Sequence, residues 1–285
     1  MKIAISGSTG FIGTHLSSFF SANGAEVVPL KREFFTSADD IALRIALDGC
    51  DVVINLAGAT INHRWTSAYK TKIMNSRILT TRKLVTAINK LNRKPHTFIS
   101  VSAVGIYSAD KVQREDDFTY DNTFLSQVCV KWEEEARKIS SQTRLVIPRF
   151  GVVLAKDGGA LPLMLLPFRM FMGGKIASGN QGFSWIHMED LQNAILFLIL
   201  NPQLQGVFNF TAPQIMNNRK FAETAAKVLH RPSWLTVPGF VFYLLYGKAH
   251  ILMTKGQKAY PLRLLEEGFE FRYLDLESAL ENIVN

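Results

Sequence analysis

Apolar residues follow two different periods along this chain, and their alternation predicts its architecture. Lys2-Ile-Ala-Ile-Ser6 is a short apolar run without a polar face, as in a strand covered on both sides. Ile12, Leu16 and Phe19 then recur at helical spacing. Glu26-Val-Val-Pro-Leu30, the run from Cys50 to Gly58, Thr97-Phe-Ile-Ser-Val101 and Leu145-Val-Ile-Pro-Arg149 read as further strands. Between them the pattern predicts a long helix from Thr66 to about Leu91 and another from Phe124 to Ser140. The second carries Leu125, Val128, Cys129, Trp132, Ala136 and Ile139 on one stripe. The polar, acidic stretch from Lys111 to Asn122 reads as a surface loop. Strand and helix alternate through this half, and right-handed crossovers turn that order into an α/β fold with a doubly wound parallel sheet.

The pattern changes after Gly151. Gly158-Gly159, Gly173-Gly174, Pro162 and Pro167 break up the run to Gly182, which predicts an irregular segment lining a cavity. Met164, Phe168, Met170, Phe171 and Met172 within it are expected to be core. Ser184-Trp-Ile-His-Met188 reads as a short strand, Glu189-Asp190 opens a helix, and Val207-Phe-Asn-Phe-Thr211 returns to strand. His187 and Asp190 resemble a base and its orienter, but a capping role for Asp190 and a backbone contact for His187 account for both. Beyond Pro213 the chain is expected to be mostly helical. Trp185 suits packing between domains as well as stacking on a ligand ring.

Composition narrows the functional classes. With 285 residues, 47% of them hydrophobic, the chain can build a large core. Its net charge of +8 comes from scattered Lys and Arg, which favours anionic ligands over nucleic acid. Cys50 and Cys129 are the only cysteines, so no disulfide framework and no metal-ligand cluster is expected, and a reducing, cytoplasmic setting fits. The N-terminal apolar run is broken by Ser6 and Gly7, unlike a signal peptide, and later apolar runs are too short to span a bilayer. The run from Phe240 to Tyr246 lies near Lys248, His250 and Lys255. Membrane-surface docking is conceivable there, with core or dimer packing the expected use.

The chemistry is concentrated in Gly7-Ser8-Thr9-Gly10-Phe11-Ile12-Gly13, between the first strand and the first helix. Gly7 lets the chain reverse, Gly10 lets backbone approach a pyrophosphate, and Gly13 lets the helix press on the sheet. The helix N-terminus adds free N–H groups and partial positive charge, as in a dinucleotide site. The second strand ends in Lys31-Arg32, where an NAD site would carry an acid for the ribose hydroxyls and a 2′-phosphate would select cations. NADP is the expected cofactor, with Glu33 the one acid nearby. At the end of the third strand, Asn55-Leu56-Ala57-Gly58 brings small residues and backbone toward the same ligand. Arg77, on the long helix, is placed either to reach its phosphates or to form a surface ion pair.

Together with Ser100-Val-Ser-Ala103, Tyr107 and Pro148-Arg-Phe-Gly151, these motifs resemble the extended short-chain dehydrogenase/reductase superfamily over most of the chain. Arg64-Trp65, Ser76-Arg77, Trp132-Glu133, Gly158-Gly-Ala-Leu-Pro162, Ser184-Trp-Ile-His187 and Ala212-Pro213 more narrowly resemble the YfcH-like epimerase family. The resemblance implies an NADP-binding Rossmann domain over 1–150, to which 184–211 returns. It also implies a small, mainly helical substrate domain from 151–183 and 212–285. Cofactor contacts at Lys31, Arg32, Leu56, Ala57, Arg77 and the backbone near Val153 follow from it, as does a small nucleotide-sugar-like substrate. A homodimer is compatible with it.

In that superfamily a Ser, a Tyr and a Lys share the work, the Lys lowering a tyrosine pKa that is otherwise near 10. Ser102 sits where the Ser belongs. The following helix has no Tyr. One register offers Gln127 and Lys131, the other Cys129 and Glu133, and the Tyr107-to-Lys111 match lies in a loop. Ser102 and Tyr107 are therefore the catalytic candidates, Tyr107 as an unorthodox acid. The function expected is an NADP-dependent oxidoreductase or nucleoside-sugar epimerase. The alternative is a regulatory protein that binds NADP without turnover.

Overall fold

The computed structural model describes residues 1–284. In chain order, β1 (Lys2–Ser6), α1 (Phe11–Ala22), β2 (Glu26–Leu30), α2 (Glu33–Thr36), α3 (Ile41–Leu47) and β3 (Val52–Asn55) are followed by α4 (Ser67–Lys90) and β4 (Thr97–Ser100). Then come β5 (Ser102–Ala103), β6 (Val112–Gln113), α5 (Phe124–Ala136), β7 (Arg144–Phe150), β8 (Val152–Leu154), α6 (Leu161–Arg169) and β9 (Gly174–Ile176). The remainder comprises β10 (Trp185–His187), α7 (Met188–Leu200), β11 (Gly206–Phe210), α8 (Asn218–Leu229), β12 (Leu235–Val237) and α9 (Gly239–Tyr246). It ends with α10 (Ile251–Thr254), β13 (Lys258–Ala259), α11 (Leu262–Glu266) and α12 (Leu276–Val284).

The main sheet has the order β11-β7-β4-β3-β1-β2, all parallel, with β5 also pairing β7. Side-chain alternation explains its continuous apolar strands. Ile3, Ile5, Val52, Ile54 and Ile99 enter one core with Leu16, Phe20 and α7, whereas Ala4, Val53 and Phe98 enter the other with Leu43, Leu84 and Ile88. The chain leaves β1 toward β2 on one side and returns through β3 on the other. Such a switch point opens a crevice at the carboxyl ends of the strands, and here it falls between β1 and β3. Because β2 is the edge strand, Lys31 and Arg32 at its end are exposed.

A third core joins Leu161, Leu165 and Phe168 of α6 to Phe221 and Ala225 of α8, and to Leu276, Leu280 and Ile283 of α12. The segment from Gly151 to Gly182, expected to be irregular, thus contains β8, a helix and β9. Pro162 falls in the first turn of α6, where its missing N–H costs nothing. Of the side chains expected to be core, Phe168 is buried, but Met170, Phe171 and Met172 are exposed. The core use expected for the run from Phe240 to Tyr246 does not hold for Phe240, Tyr243 and Leu244, which are exposed on α9. These residues follow the helical period, but each keeps about half or more of its surface in water. The acidic loop also contributes β6, which pairs with β13. Among the described residues no helix is long and apolar enough to cross a membrane.

His187 and Asp190 hold the tail of the chain. His187 is the N-cap of α7, its Nδ1 accepting from Glu189 N at 3.2 Å. Asp190 does not cap, as the sequence suggested. Its carboxylate accepts from the backbone N–H groups of Arg272 and Tyr273 at 2.8 and 3.1 Å. Burial pushes the Asp190 carboxyl up to about 6 and the His187 imidazole down to about 4. Between these values and the unfolded ones, folding binds a proton at Asp190 and releases one at His187. Asp190 alone makes stability fall as pH rises from 4 to 6, and His187 alone makes it rise over nearly the same window. Each contribution is about 3 kcal/mol and the two nearly cancel. Urea titrations across this range should therefore show stability rising with pH in Asp190→Asn and falling in His187→Gln.

Candidate active site

The glycine turn closes the carboxyl end of β1 with Gly10 N bonded to Gly7 O at 2.9 Å. Gly7 has φ +72°, and a Cβ there would stand 3.0 Å from the Leu56 carbonyl carbon. A Cβ on Gly13 would come within 2.1 Å of Gly7 O, so only glycine lets α1 start this close to the strand. No side chain caps α1 and no acid lies in its first turn, which leaves its leading N–H groups and positive dipole end for an anion. Phe11 lies beneath the loop after β8, where a Cβ at Gly158 or Gly159 would meet its ring at 2.5 or 2.7 Å. His15 and Asp157 tie the same loop to α1 at 3.0 Å. Ser8, Thr9, Gly10, Phe11 and Ile12 thus form a floor with one fixed wall.

The opposite wall is the end of β3. Asn55 is fully buried, accepts from Ser6 Oγ at 2.7 Å and donates to Thr81 Oγ1 at 2.7 Å, and Trp132 Nε1 donates to the same hydroxyl at 2.8 Å. This chain of bonds fixes the direction in which Leu56, Ala57 and Gly58 leave the sheet. Arg77 lies against Gly58, donates to the Ala59 and Ile73 carbonyls at 3.0 and 3.2 Å, and sits 5.3 Å from the Trp132 ring. Desolvation lowers its pKa, and among the described residues no carboxylate lies within 4.0 Å of its guanidinium. Val153 stands on β8, paired with Ile186. Lys31 and Arg32 are exposed, with Lys31 at 3.9 Å from Glu33.

Ser102 opens β5 and is 1% exposed. Its Oγ faces the Cys129 thiol and the Glu133 carboxylate, lowering the pKa of each, but makes no hydrogen bond of good geometry. The register of α5 is decided by packing: Gln127 and Lys131 are exposed, while Cys129 and Glu133 are buried on the face toward β5. Burial pushes the Cys129 thiol up to about 11, so it stays neutral at physiological pH. Burial also raises the Glu133 carboxyl, but the Arg149 guanidinium more than offsets this and holds it below the usual range. The two form a bidentate buried pair with both bonds at 2.8 Å.

Tyr107 is fully buried and belongs to the same cluster. Its hydroxyl donates to Asn209 Oδ1 at 2.7 Å and accepts from Arg149 Nη1 at 2.8 Å. Burial drives its pKa up to about 12 despite the nearby cation. The structure thus ties Tyr107 to the carboxyl ends of β7 and β11. Sequence reading missed Arg149, Glu133 and Asn209 as a unit, although charged and amide residues inside apolar runs were the available signal.

A doubly wound parallel sheet with a glycine turn at its switch point defines a Rossmann-type dinucleotide-binding protein. The chain belongs to the NAD dependent epimerase/dehydratase family, which matches residues 3–210, and a domain of unknown function (DUF1731) matches residues 237–283. It is 40% identical over 298 residues to Epimerase family protein YfhF of Bacillus subtilis, covering 100% of this chain and 98% of that protein. Identity to the chloroplastic Epimerase family protein SDR39U1 homolog of Arabidopsis thaliana is 37% over 301 residues, or 100% of this chain and 87% of the relative. The crystal structure of human epimerase family protein SDR39U1 (isoform 2) with NADPH matches with TM-score 0.91 at 35% identity, over 99% of each chain. The extended short-chain dehydrogenase/reductase resemblance and the α/β Rossmann class are borne out.

Proposed function

We propose that this protein is an NADP-dependent oxidoreductase or nucleoside-sugar epimerase acting on a small, nucleotide-sugar-like substrate. The observation that carries the reading is Lys31 and Arg32 at the open edge of the sheet, beside the glycine turn. In this reading the N–H groups opening α1 hold the pyrophosphate, and Arg77 brings an uncompensated cation to it past Gly58. Leu56, Ala57 and the Val153 backbone hold the rest of the nucleotide, while Lys31 and Arg32 take the 2′-phosphate. NADP would supply hydride transfer when bound. Ser102 supplies the hydroxyl that orients a substrate oxygen, being a buried polar group with no protein partner of good geometry. Tyr107 we assign to positioning, since its proton is committed to Asn209, and Glu133 and Arg149 neutralise each other around it.

A second reading, an NADP-binding sensor without turnover, is favoured by one feature. The α5 face toward Ser102 offers a neutral thiol and an ion-paired carboxylate, neither of which is a base at neutral pH. Time-resolved absorbance of bound NADPH against sugar nucleotides, aldehydes and quinones separates the two. For any substrate so found, Ser102→Ala should lower kcat about 100-fold with little change in NADPH affinity, the scale of one lost general-acid or hydrogen-bonding group. An unchanged kcat would remove Ser102 from the chemistry.

A further inference from the structure

Lys and Arg are scattered through the chain, but their excess over Asp and Glu falls in two stretches that contain no acid. Residues 158–188 and 224–265 hold eight Lys and Arg and no Asp or Glu, which leaves Lys and Arg elsewhere equal in number to the 24 acids. The fold brings these stretches together. β9 pairs in parallel with β12, Leu235 N bonds Gly173 O at 3.4 Å, and the Arg231 guanidinium lies 4.5 Å from the Phe171 ring. β12 leads through Pro238 directly into α9, and a Cβ on Gly239 would lie 3.7 Å from Ala177.

The ribbon and its flanks expose large apolar side chains. Met170, Phe171, Met172, Trp234, Phe240 and Leu244 are all between 48% and 71% exposed. Phe171 is the informative one. It occupies the position just past the C-cap of α6, with Phe171 N bonded to Phe168 O and Met172 N to Pro167 O, and has φ +61°. Glycine suits that left-handed position, and a bulky aromatic there is strained. Its ring is 56% exposed, so the fold gains little from the side chain in return for the strain. Among the described residues, Arg169, Lys175, Arg231, Lys248 and Lys255 have no carboxylate within 4.0 Å.

We propose that the Met170–Met172 turn, Trp234 and α9 form a docking surface for a bilayer bearing anionic lipids. The apolar side chains enter the headgroup boundary and the cations meet the lipid phosphates. Charge selects this occupant over a second copy of the chain. A two-fold interface built from these acid-free stretches would set them against themselves, with Arg169, Lys175, Arg231, Lys248 and Lys255 facing their own copies. Exposed aromatic and aliphatic side chains on the same stretches as the cations also distinguish them from a face built only to meet phosphates.

Vesicle flotation with the full chain tests this, using phosphatidylcholine vesicles with and without phosphatidylglycerol. Binding should require phosphatidylglycerol and fall about fivefold for each cation removed in Arg231→Gln and Lys248→Gln. Phe171→Gly removes the left-handed strain, so it should melt no lower than the parent yet lose about tenfold in vesicle partition. Equal binding to both vesicle types, or Phe171→Gly binding like the parent, overturns the proposal. So does light scattering that shows a dimer which Trp234→Ser dissociates while vesicles float no protein.

Discussion

Replacing Lys31 and Arg32 together by Ala is expected to weaken NADPH binding about 100-fold, taking the lower end of the roughly 1.5–3 kcal/mol for each charge-assisted contact because both side chains are exposed. NADH, which lacks the 2′-phosphate, should bind the variant as it binds the parent. Calorimetry with both nucleotides reads the difference directly. Glu33 is the acid nearest to this strand end, and its 3.9 Å approach to Lys31 is too loose to fix that cation. If the variant loses NADPH and NADH in equal measure, the strand end does not select the nucleotide. The test separates the 2′-phosphate from the pyrophosphate, because the glycine turn and Arg77 serve both nucleotides alike.

Breaking the buried Arg149–Glu133 pair should have the largest effect on stability. Arg149→Met leaves a carboxylate 1% exposed with only the half-exposed Arg137, at 2.9 Å, as a charged partner, and its Tyr107 neighbour without a donor. A loss of about 3 kcal/mol is expected, the lower end for a broken buried pair because Arg137 remains, or roughly 6 °C in Tm for a chain of this size. Glu133→Leu combined with Arg149→Met should recover most of that loss, since two apolar groups need no partner. Thermal melts of the single and double variants check this. A double variant as unstable as the single would mean that Arg149 acts mainly through Tyr107 and Tyr120, to which it also donates at 2.8 and 3.1 Å.

The nucleotide floor was legible because it is local. Gly7, Gly10 and Gly13 lie within one turn of chain, and the apolar runs on either side state which is strand and which is helix. The candidate chemistry was less legible. Tyr107 reads as an available acid in a loop, and only the fold brings up Arg149 and Asn209, 42 and 102 residues away, to claim its hydroxyl. The register of α5 was open for a similar reason. Both Gln127–Lys131 and Cys129–Glu133 keep helical spacing, and which pair faces Ser102 depends on how α5 lies against the sheet.

What the sequence determined by itself was therefore the set of features written in neighbouring residues. These are the strand–turn–helix order, the glycine cradle and the cations ending β2. Tertiary structure alone decided which apolar residues are covered. Phe168 is core while Phe171, three residues on, is exposed, and Phe240, Tyr243 and Leu244 meet water although the composition of their run matches a core helix. Periodicity records that a residue could be buried, but burial needs a second surface, and that surface is supplied by elements distant in the chain.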